Sequence, residues 1–305
     1  MKRNALLLIP VILLTACGNT AKYQVSLKVA APSGAPAIAL YKYLGDTEHV
    51  EVGDATNVTG YFTETAGREI LFAPTNFGVS AIKKGSPFKI AATVTFGNFY
   101  LVSTGNDANG QLDANDRVLA FQQNGVAGKL FSAVYGDLNL DVKWSADVKA
   151  AKTELLTNTA SYDYALLAEP VLNAVLKARD TITEYQSVQT AYKNKFNNND
   201  ITQASIFIND SVDHDEAVKF LNQIEKDMNE LLKNPSVIVK ETSSLEEEFV
   251  TGKIGGLPSD VKDLIQNDNR LGIGFKKALD IKPAIDAFMT TFGAGATSEE
   301  IYFNY

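Results

Sequence analysis

One strand–turn–helix unit, within residues 68–85, constrains the fold of this chain more than any other stretch. The apolar run 70–73 is typical of a buried parallel strand that ends in a turn. Thr75 or Asn76 can cap a helix that follows, and Gly85 supplies its stop signal. The unit predicts a helix whose N-terminal N–H groups face the carboxyl edge of a sheet, where open α/β sheets bind ligands.

The same pattern recurs along the chain. Three further units are strand 25–31 with turn Ser33-Gly34-Ala35, strand 118–122 with turn Asn124-Gly125, and strand 162–168 with turn Glu169-Pro170. Residues 88–102 are β-rich with a bend at Gly97, residues 203–208 predict a strand, and helices are expected from Asp213 and near 259–267, 272–279 and 282–291. Alternating strands and helices predict an α/β fold whose turns share one cleft.

The N-terminus predicts export and a lipid anchor. A basic start is followed by an apolar segment, 5–14, that is too short to span a bilayer. Leu14-Thr15-Ala16-Cys17 resembles the bacterial lipobox, in which the cysteine becomes the acylated first residue of the mature protein. A secretory leader with an incidental cysteine is the alternative. Cys17 is the only cysteine, so no disulfide framework is expected.

Composition disfavours two classes of function. The net charge is −8, and −10 once Lys2 and Arg3 are removed with the leader, so binding to nucleic acid is not expected. The two histidines are far apart, which argues against a histidine-based metal site. Residues 107–113 resemble part of a calcium loop, but they lack the register of a complete one and are interpreted as a surface loop. We predict no metal, no cofactor and no catalytic residue.

In order, these motifs resemble the type II periplasmic binding proteins of ABC importers, particularly the sulfonate, taurine, nitrate and thiamine-precursor binders. The matching stretches are the lipobox at Cys17, the turns Ser33-Gly34-Ala35-Pro36 and Ala73-Pro74-Thr75-Asn76-Phe77-Gly78, the segment 164–170, and Phe220 with Asn234-Pro235 in a long helix. One departure lies in the second lobe, where Asn115-Asp116-Arg117 stands in place of the family's Asp-Leu-x-Gly-Lys. The contacts of that lobe are therefore less well defined by the resemblance.

The resemblance implies two α/β lobes, each a mixed sheet flanked by helices, with the ligand cleft between them. It implies a leader at 1–16, a tether at 17–24, a first lobe from 25–102 plus 209–305, and a second lobe at 103–208. The crossings between the lobes are expected near Val102–Gly105 and Ser205–Asn209. The expected protein is a monomer, anchored by lipid to the outer face of a cell membrane, that delivers a solute to an ABC permease and its ATPase.

The turns supply the candidate ligand-binding residues. These are Ser33, Gly34, Ala35, Thr75, Asn76, Phe77, Phe96, Gly97, Asn124, Gly125 and Glu169. Helix N-termini would supply N–H donors, Glu169 could accept a hydrogen bond from an amine or ring N–H, and aromatic rings could stack. No Arg or Lys falls inside the turns, which favours a zwitterion or polar heterocycle over a multiply charged anion. The expected ligand is a sulfonate, a pyrimidine or a similar polar organic molecule.

Alternative interpretations remain at this stage. Ser33, Thr75, Asn124 and Glu169 can be helix caps and nothing more, and the aromatic residues of 96–100 can belong to the core. A sensory binding protein that reports to a receptor would have the same sequence features. A lipid-anchored enzyme is disfavoured, because the sequence contains no Gly-x-Ser-x-Gly motif and acylation would consume Cys17.

Overall fold

The structure is a computed structural model that describes residues 22–62 and 67–305. The predicted leader 1–16, Cys17 and most of the tether 17–24 lie outside the described residues. The strands are β1 (Val29–Pro32), β2 (Val50–Gly53), β3 (Ile70–Pro74), β4 (Phe88–Thr95), β5 (Phe99–Ser103), β6 (Arg117–Phe121), β7 (Asp141–Ser145), β8 (Tyr164–Ala168), β9 (Thr183–Ser187), β10 (Ala204–Asn209) and β11 (Ile273–Lys277).

Helices connect the strands and cover the sheets. They are α1 (Ala35–Ile38), α2 (Ala55–Gly60), α3 (Thr75–Lys83), α4 (Val126–Tyr135), α5 (Val148–Thr157), α6 (Val171–Ala178), α7 (Val188–Lys195), α8 (His214–Lys233), α9 (Ser236–Thr242), α10 (Glu247–Ile254), α11 (Pro258–Gln266) and α12 (Lys282–Thr291). None of the described helices is both long and apolar enough to cross a bilayer. The mixture of strands and helices confirms the predicted α/β class.

The strands form two mixed sheets. In the first, the order is β11-β4-β10-β3-β1-β2, and β10 runs antiparallel to both β3 and β4. In the second, the order is β7-β6-β8-β5-β9, and β5 runs antiparallel to both β8 and β9. The carboxyl ends of β1 to β4 therefore meet at one edge of the first sheet. The carboxyl ends of β6 to β9 meet at one edge of the second.

Two chain segments, 96–98 and 196–203, connect the sheets. Segment 96–98 is only three residues long and joins the carboxyl end of β4 to the amino end of β5. Because both ends lie at the edges just described, these two edges face each other. We call the space between them the cleft, the part built on the first sheet lobe 1, and the part built on the second sheet lobe 2.

Strand pairing moves the crossings away from their predicted positions. Residues 99–103, assigned largely to lobe 1 from sequence, pair with β8 and β9 of the second sheet. Residues 204–209, assigned almost entirely to lobe 2, pair with β3 and β4 of the first sheet. Gly97, with φ of 107°, breaks the long β-rich run that the sequence presents as continuous. We therefore divide the lobes at 96–98 and 196–203.

Other local predictions have mixed outcomes. The unit β3–α3, the strands β6 and β8, and the helix α8, capped by Asp213, are confirmed. The helix predicted at 272–279 is wrong, because residues 273–277 form β11 and pair with β4. Asp147 caps α5 by accepting a hydrogen bond from the Ala150 N–H at 2.8 Å. Strands β7 and β9 and helix α7 were not predicted.

Helix α12 packs against both lobes. Its Ile285 and Met289 belong to the apolar cluster on one face of the first sheet, together with Phe207. Its Phe288 belongs to the core of the second lobe, and the hydroxyl groups of Tyr192 and Thr291 lie 3.3 Å apart. The two lobes are therefore joined by packed side chains as well as by the two chain crossings.

Candidate functional site

The first turn of lobe 1, Ser33 to Ala35, lies at the cleft edge but its backbone is largely engaged. The Ser33 N–H donates to the Gly53 carbonyl and the Gly34 N–H to the Lys253 carbonyl, each at 2.8 Å. Ser33 is exposed, whereas Ala35 is buried. The prediction of free N–H donors is thus wrong for Ser33 and Gly34, and the Ser33 hydroxyl is the polar side-chain group that this turn presents to solvent.

The second turn places Thr75 and Asn76 in the first turn of α3. Pro74 occupies the cap position, so neither residue is the cap that the sequence suggested. The buried Thr75 hydroxyl lies 2.7 Å from the Ser205 hydroxyl, and the Thr75 N–H donates to the Gln203 carbonyl at 3.1 Å. The Asn76 Oδ1 atom is buried and has no hydrogen-bond partner within residues 22–62 and 67–305. Thr75 therefore fixes the turn, and Asn76 retains unused hydrogen-bonding capacity.

Phe77 follows in the same helix but points elsewhere. Its side chain is 41% exposed, and its ring centroid lies 5.8 Å from that of Phe62. Phe62 in turn contacts Phe88, which begins β4 at the edge of the sheet opposite the cleft. The structure therefore does not bring the Phe77 ring together with the other candidate residues.

Phe96 and Gly97 form the first crossing between the lobes. The Phe96 N–H donates to the Gly272 carbonyl at 2.7 Å, and Lys276 Nζ lies 5.1 Å from the centre of the half-buried Phe96 ring. A Cβ atom at Gly272 would lie 2.1 Å from the Gly97 carbonyl oxygen. A larger residue at Gly272 would therefore push the crossing away from the strand β11 that supports it.

Asn124 and Gly125 occupy the cleft edge of lobe 2. Gly125 precedes α4, and its N–H donates to the Gln122 carbonyl at 2.8 Å. No described side chain caps this helix, and Asn124 is exposed. The N-terminal turn of α4 can therefore offer backbone N–H groups to an acceptor in the cleft.

Glu169 lies at the cleft edge of lobe 2, but both of its carboxylate oxygens already have partners. Oε1 accepts from Arg270 Nε at 2.8 Å, and Oε2 accepts from the Asn173 N–H at 3.0 Å. Burial raises the pKa of Glu169, while the hydrogen bond from Arg270 acts in the opposite direction. Glu169 therefore acts as a helix-capping group, as the sequence allowed. It is also half of an ion pair between the lobes, and this second role was not apparent from the sequence.

Arg270 belongs to lobe 1 and contacts several groups of lobe 2. Its Nη1 donates to Glu184, and its guanidinium carbon lies 4.6 Å from the centre of the Tyr100 ring. The Tyr100 hydroxyl donates to the Arg270 carbonyl at 2.9 Å. Arg270 thus contacts two carboxylates and one aromatic ring across the cleft.

A second contact between the lobes lies beside the first turn. A Cβ atom at Gly255 would lie 3.2 Å from the Gly34 Cα and 3.6 Å from the Pro170 ring. Lys177 and Asp260 form an ion pair of 2.9 Å further along the same interface. The turn at Gly34 and the turn at Pro170 therefore meet across the glycines at the end of α10.

Buried polar atoms without partners are concentrated at the cleft edge of lobe 1 and at the crossings. Six of the ten such atoms lie there and have no hydrogen-bond partner in the described parts of the chain: Asn76 Oδ1, Thr95 Oγ1, Asn98 Oδ1, Thr202 Oγ1, Gln203 Oε1 and Arg270 Nη2. The other four, Tyr41 Oη, Arg68 Nε, Thr251 Oγ1 and Tyr305 Oη, lie elsewhere. A buried polar group without a partner costs roughly 1–3 kcal/mol. Such a concentration is typical of a functional site rather than of a well-packed core.

Thr95, Asn98, Thr202, Gln203 and Arg270 were not among the candidate residues predicted from sequence. Arg270 follows Asp268 and Asn269, which both adopt positive φ, at 53° and 49°. Asn and Asp are enriched in that conformation, so residues 267–270 could have been recognised as a polar turn preceding a strand. Thr202 and Gln203 gave no such signal.

The histidines do not contribute to the cleft. His49 Nδ1 lies 3.0 Å from Asp46 Oδ1, and His214 Nε2 lies 3.0 Å from the Asn304 carbonyl oxygen. Within residues 22–62 and 67–305, no cluster of three or more His, Cys, Asp or Glu side chains could hold a metal ion.

Comparison with solved structures identifies the fold. Over 88% of this chain and 92% of the other, an ABC transporter protein from Parabacteroides distasonis superimposes with a TM-score of 0.68 at 16% identity. The alkanesulfonate-binding protein SsuA from Xanthomonas axonopodis pv. citri, bound to MOPS, gives 0.60 at 12% identity over 88% and 92%. The aliphatic sulphonate-binding protein SsuA from Escherichia coli gives 0.57 at 10% identity over 88% of each chain.

These similarities confirm the predicted two-lobe fold of periplasmic binding proteins. No protein-family model and no curated protein sequence matches the chain.

The ion pair between Arg270 and Glu169 predicts a measurable coupling between the lobes. Arg270→Met should lower the free energy of unfolding by about 3 kcal/mol, because it leaves the Glu169 carboxylate buried without its cation. Glu169→Gln combined with Arg270→Met should recover part of that loss, since the buried charge is then removed. Urea denaturation of the two single variants and the double variant measures the coupling.

The exposed ion pair across the same interface supplies the control. Lys177→Met should change stability by less than about 1 kcal/mol, since the Lys177 side chain is 59% exposed and water screens its attraction to Asp260. Equal losses for Arg270→Met and Lys177→Met would show that burial does not strengthen the first pair.

Proposed function

We propose that this protein is the solute-binding component of an ABC importer, which captures a small polar organic solute in the cleft and delivers it to a permease. The observation that carries the proposal is the concentration of unpaired buried polar atoms at the cleft edge of lobe 1 and at the crossings between the lobes. The fold supports it, since proteins of this architecture include an ABC transporter protein and two sulfonate-binding proteins. The turns predicted from sequence stay the candidate ligand-binding positions, apart from Thr75, which fixes its turn, and Phe77, whose ring lies away from the other candidates.

Closure of the lobes over a solute is the physical basis of the proposed activity. The N-terminal turns of α3 and α4 each favour a partial negative charge by roughly 0.3–1 kcal/mol at an exposed site. A solute that bonds to Asn76 or Gln203 also removes the cost of leaving those groups unpaired in the closed arrangement. Because the solute interacts more strongly with the closed form than with the open form, binding shifts the population towards closure.

Lipid attachment at Cys17 is part of the proposal. The leader 1–16 would be removed, Cys17 would be acylated, and the short tether to residue 24 would hold the protein at the outer face of a cell membrane. More than one acyl chain makes such an anchor stable. The proposed partners are the solute, an ABC permease with its ATPase, and the membrane, while the folded part acts as a monomer and uses no cofactor.

A thermal-shift screen tests solute capture. The soluble form that starts at Gly18 should melt about 5 °C higher with a saturating sulfonate, pyrimidine, vitamin or amino acid that binds the cleft, because a bound ligand stabilises the folded state. Asn76→Ala should reduce that increase while changing the melting temperature of the free protein much less.

Asn57→Ala provides the matched control, since Asn57 is an exposed asparagine on α2 of the same lobe. It should retain the full ligand-induced increase. Failure of every compound class to raise the melting temperature of the unsubstituted protein would contradict solute capture. An equal increase in Asn76→Ala would place binding elsewhere.

The anchor has its own test. Cys17→Ser should release the protein from membranes into the soluble fraction, because serine cannot form the thioether and the two-signal attachment is lost. Thr15→Ser, which keeps a small hydroxyl residue in the leader, should leave the protein attached. Membrane fractionation after radiolabelled palmitate incorporation measures both, and full attachment of Cys17→Ser would contradict lipid anchoring.

A further inference from the structure

The positively charged side chains beside the cleft already have hydrogen-bond or ion-pair partners within the protein. Arg270 donates to the carboxylates of Glu169 and Glu184, so one guanidinium faces two acids. Lys276 pairs with Asp200 at 2.8 Å, and Lys253 donates from Nζ to the Val52 carbonyl at 2.6 Å. These cations are therefore engaged by protein groups, and the two carboxylates around Arg270 would repel an anionic group placed near them.

The side chains with unpaired atoms at the cleft edge of lobe 1 are uncharged, and the backbone segments that carry them are neighbours. The Gln203 carbonyl accepts from the Thr75 N–H, and the Gln203 N–H donates to the Thr95 carbonyl at 2.8 Å. Gln203 thus lies between the ends of β3 and β4, next to Thr202 and close to Asn76. An amide offers both donors and acceptors, and a threonine hydroxyl offers both as well.

Arg270 adds one donor to this set. Its Nη2 is buried and has no partner in the described residues, while its Nε and Nη1 are engaged. Because the two carboxylates balance its charge, Nη2 can donate a hydrogen bond to a carbonyl or hydroxyl oxygen without the site favouring a full negative charge.

We propose that the cleft takes an uncharged solute that carries both hydrogen-bond donors and acceptors, and that Asn76, Thr95, Thr202 and Gln203 recognise it. This inference rests on the proposed function and specifies the class of its solute. An amide, a lactam of a heterocycle or a polyol has the required groups. Because Thr95 and Thr202 are fully buried in this structure, the proposal requires the solute to enter while the lobes are apart.

Matched pairs of solutes test the charge preference. The soluble form from Gly18 is incubated with an equimolar mixture of neutral and anionic counterparts: uracil and orotate, nicotinamide and nicotinate, glucose and gluconate, and an N-acetyl amino-acid amide with the corresponding N-acetyl amino acid. Native mass spectrometry then identifies the bound species by mass. We expect a neutral member to bind at least tenfold more tightly than its anionic counterpart.

The possible results distinguish failure of the uncharged-solute inference from failure of the proposed solute capture. Preferential binding of an anionic member would overturn the inference and leave solute capture intact. Binding of no member would count against solute capture itself, and the inference would fall with it.

Two valine substitutions test the recognition residues with the neutral solute that binds. Thr95→Val and Thr202→Val keep the shape of the side chain but remove a hydroxyl that has no partner among residues 22–62 and 67–305. We expect each variant to melt no lower than the unsubstituted protein and to bind the solute about fivefold to tenfold more weakly. Unchanged affinity in both variants would overturn the assignment.

Thr93→Val is the matched control on the same strand. Thr93 is also fully buried, but its hydroxyl lies 2.9 Å from the Ser205 hydroxyl. Its replacement should lower the melting temperature and leave the affinity within about twofold, the reverse of Thr95→Val. A loss of affinity as large as that of Thr95→Val would show that any buried threonine here affects binding indirectly.

Glu184→Gln tests whether the carboxylates neutralise Arg270, because this variant should gain affinity for the anionic member of the solute pair. Removing one of the two acids leaves the guanidinium less compensated, so the preference for the neutral member of the pair should fall about tenfold. An unchanged preference in Glu184→Gln would contradict the role assigned to the carboxylates.

Discussion

The short crossing at 96–98 is the constraint on which the rest of the structure depends. Since three residues join the end of β4 to the start of β5, the two sheets must place corresponding edges opposite each other. Gly97 adopts a positive φ there, and Gly272 approaches its carbonyl more closely than any side-chain-bearing residue could. The turns that follow each strand are therefore gathered at one place, although they come from positions spread through most of the chain.

Facing edges explain why several polar groups have two roles. Glu169 caps α6 and also pairs with Arg270 of the other lobe, so the same carboxylate supports a helix and an interface. Thr75 is confined to a structural role by its bonds to Ser205 and Gln203, whereas its neighbour Asn76 keeps an unpaired oxygen. The interpretation that these residues only cap helices must therefore be judged separately at each position.

The sequence predicted those parts of the fold whose signals are local. The unit β3–α3 combines an apolar run, a proline and a terminal glycine within eighteen residues, so no distant partner was needed to recognise it. Strand β11 was predicted as a helix, because the spacing of apolar residues in 272–279 fits a helix and only pairing with β4 decides otherwise. Strand β9 has the polar sequence Thr-Glu-Tyr-Gln-Ser and lies at a sheet edge, so its alternation is weak.

The residues of the candidate site also divide into those that have a local sequence signal and those that do not. Turns that follow apolar strands, such as Ser33-Gly34 and Asn124-Gly125, were predictable because each carries its own signal. Arg270 was not, since its role depends on Glu169, which is 101 residues away in the chain. The ion pair joins two distant segments of the chain, and neither segment shows a sequence periodicity that would indicate it. Only the three-dimensional structure reveals the pair.

A distance measurement between the lobes tests the central claim most directly. The form that starts at Gly18 lacks Cys17, the only cysteine, so nitroxide labels can be attached at Asn57→Cys on α2 and Lys149→Cys on α5. Electron–electron double resonance should give a distribution that narrows and moves to shorter distances when a bound solute is added, while a pair within lobe 1, Asn57→Cys and Lys84→Cys, stays unchanged. Identical distributions between the lobes with and without a solute of measured affinity would contradict the account.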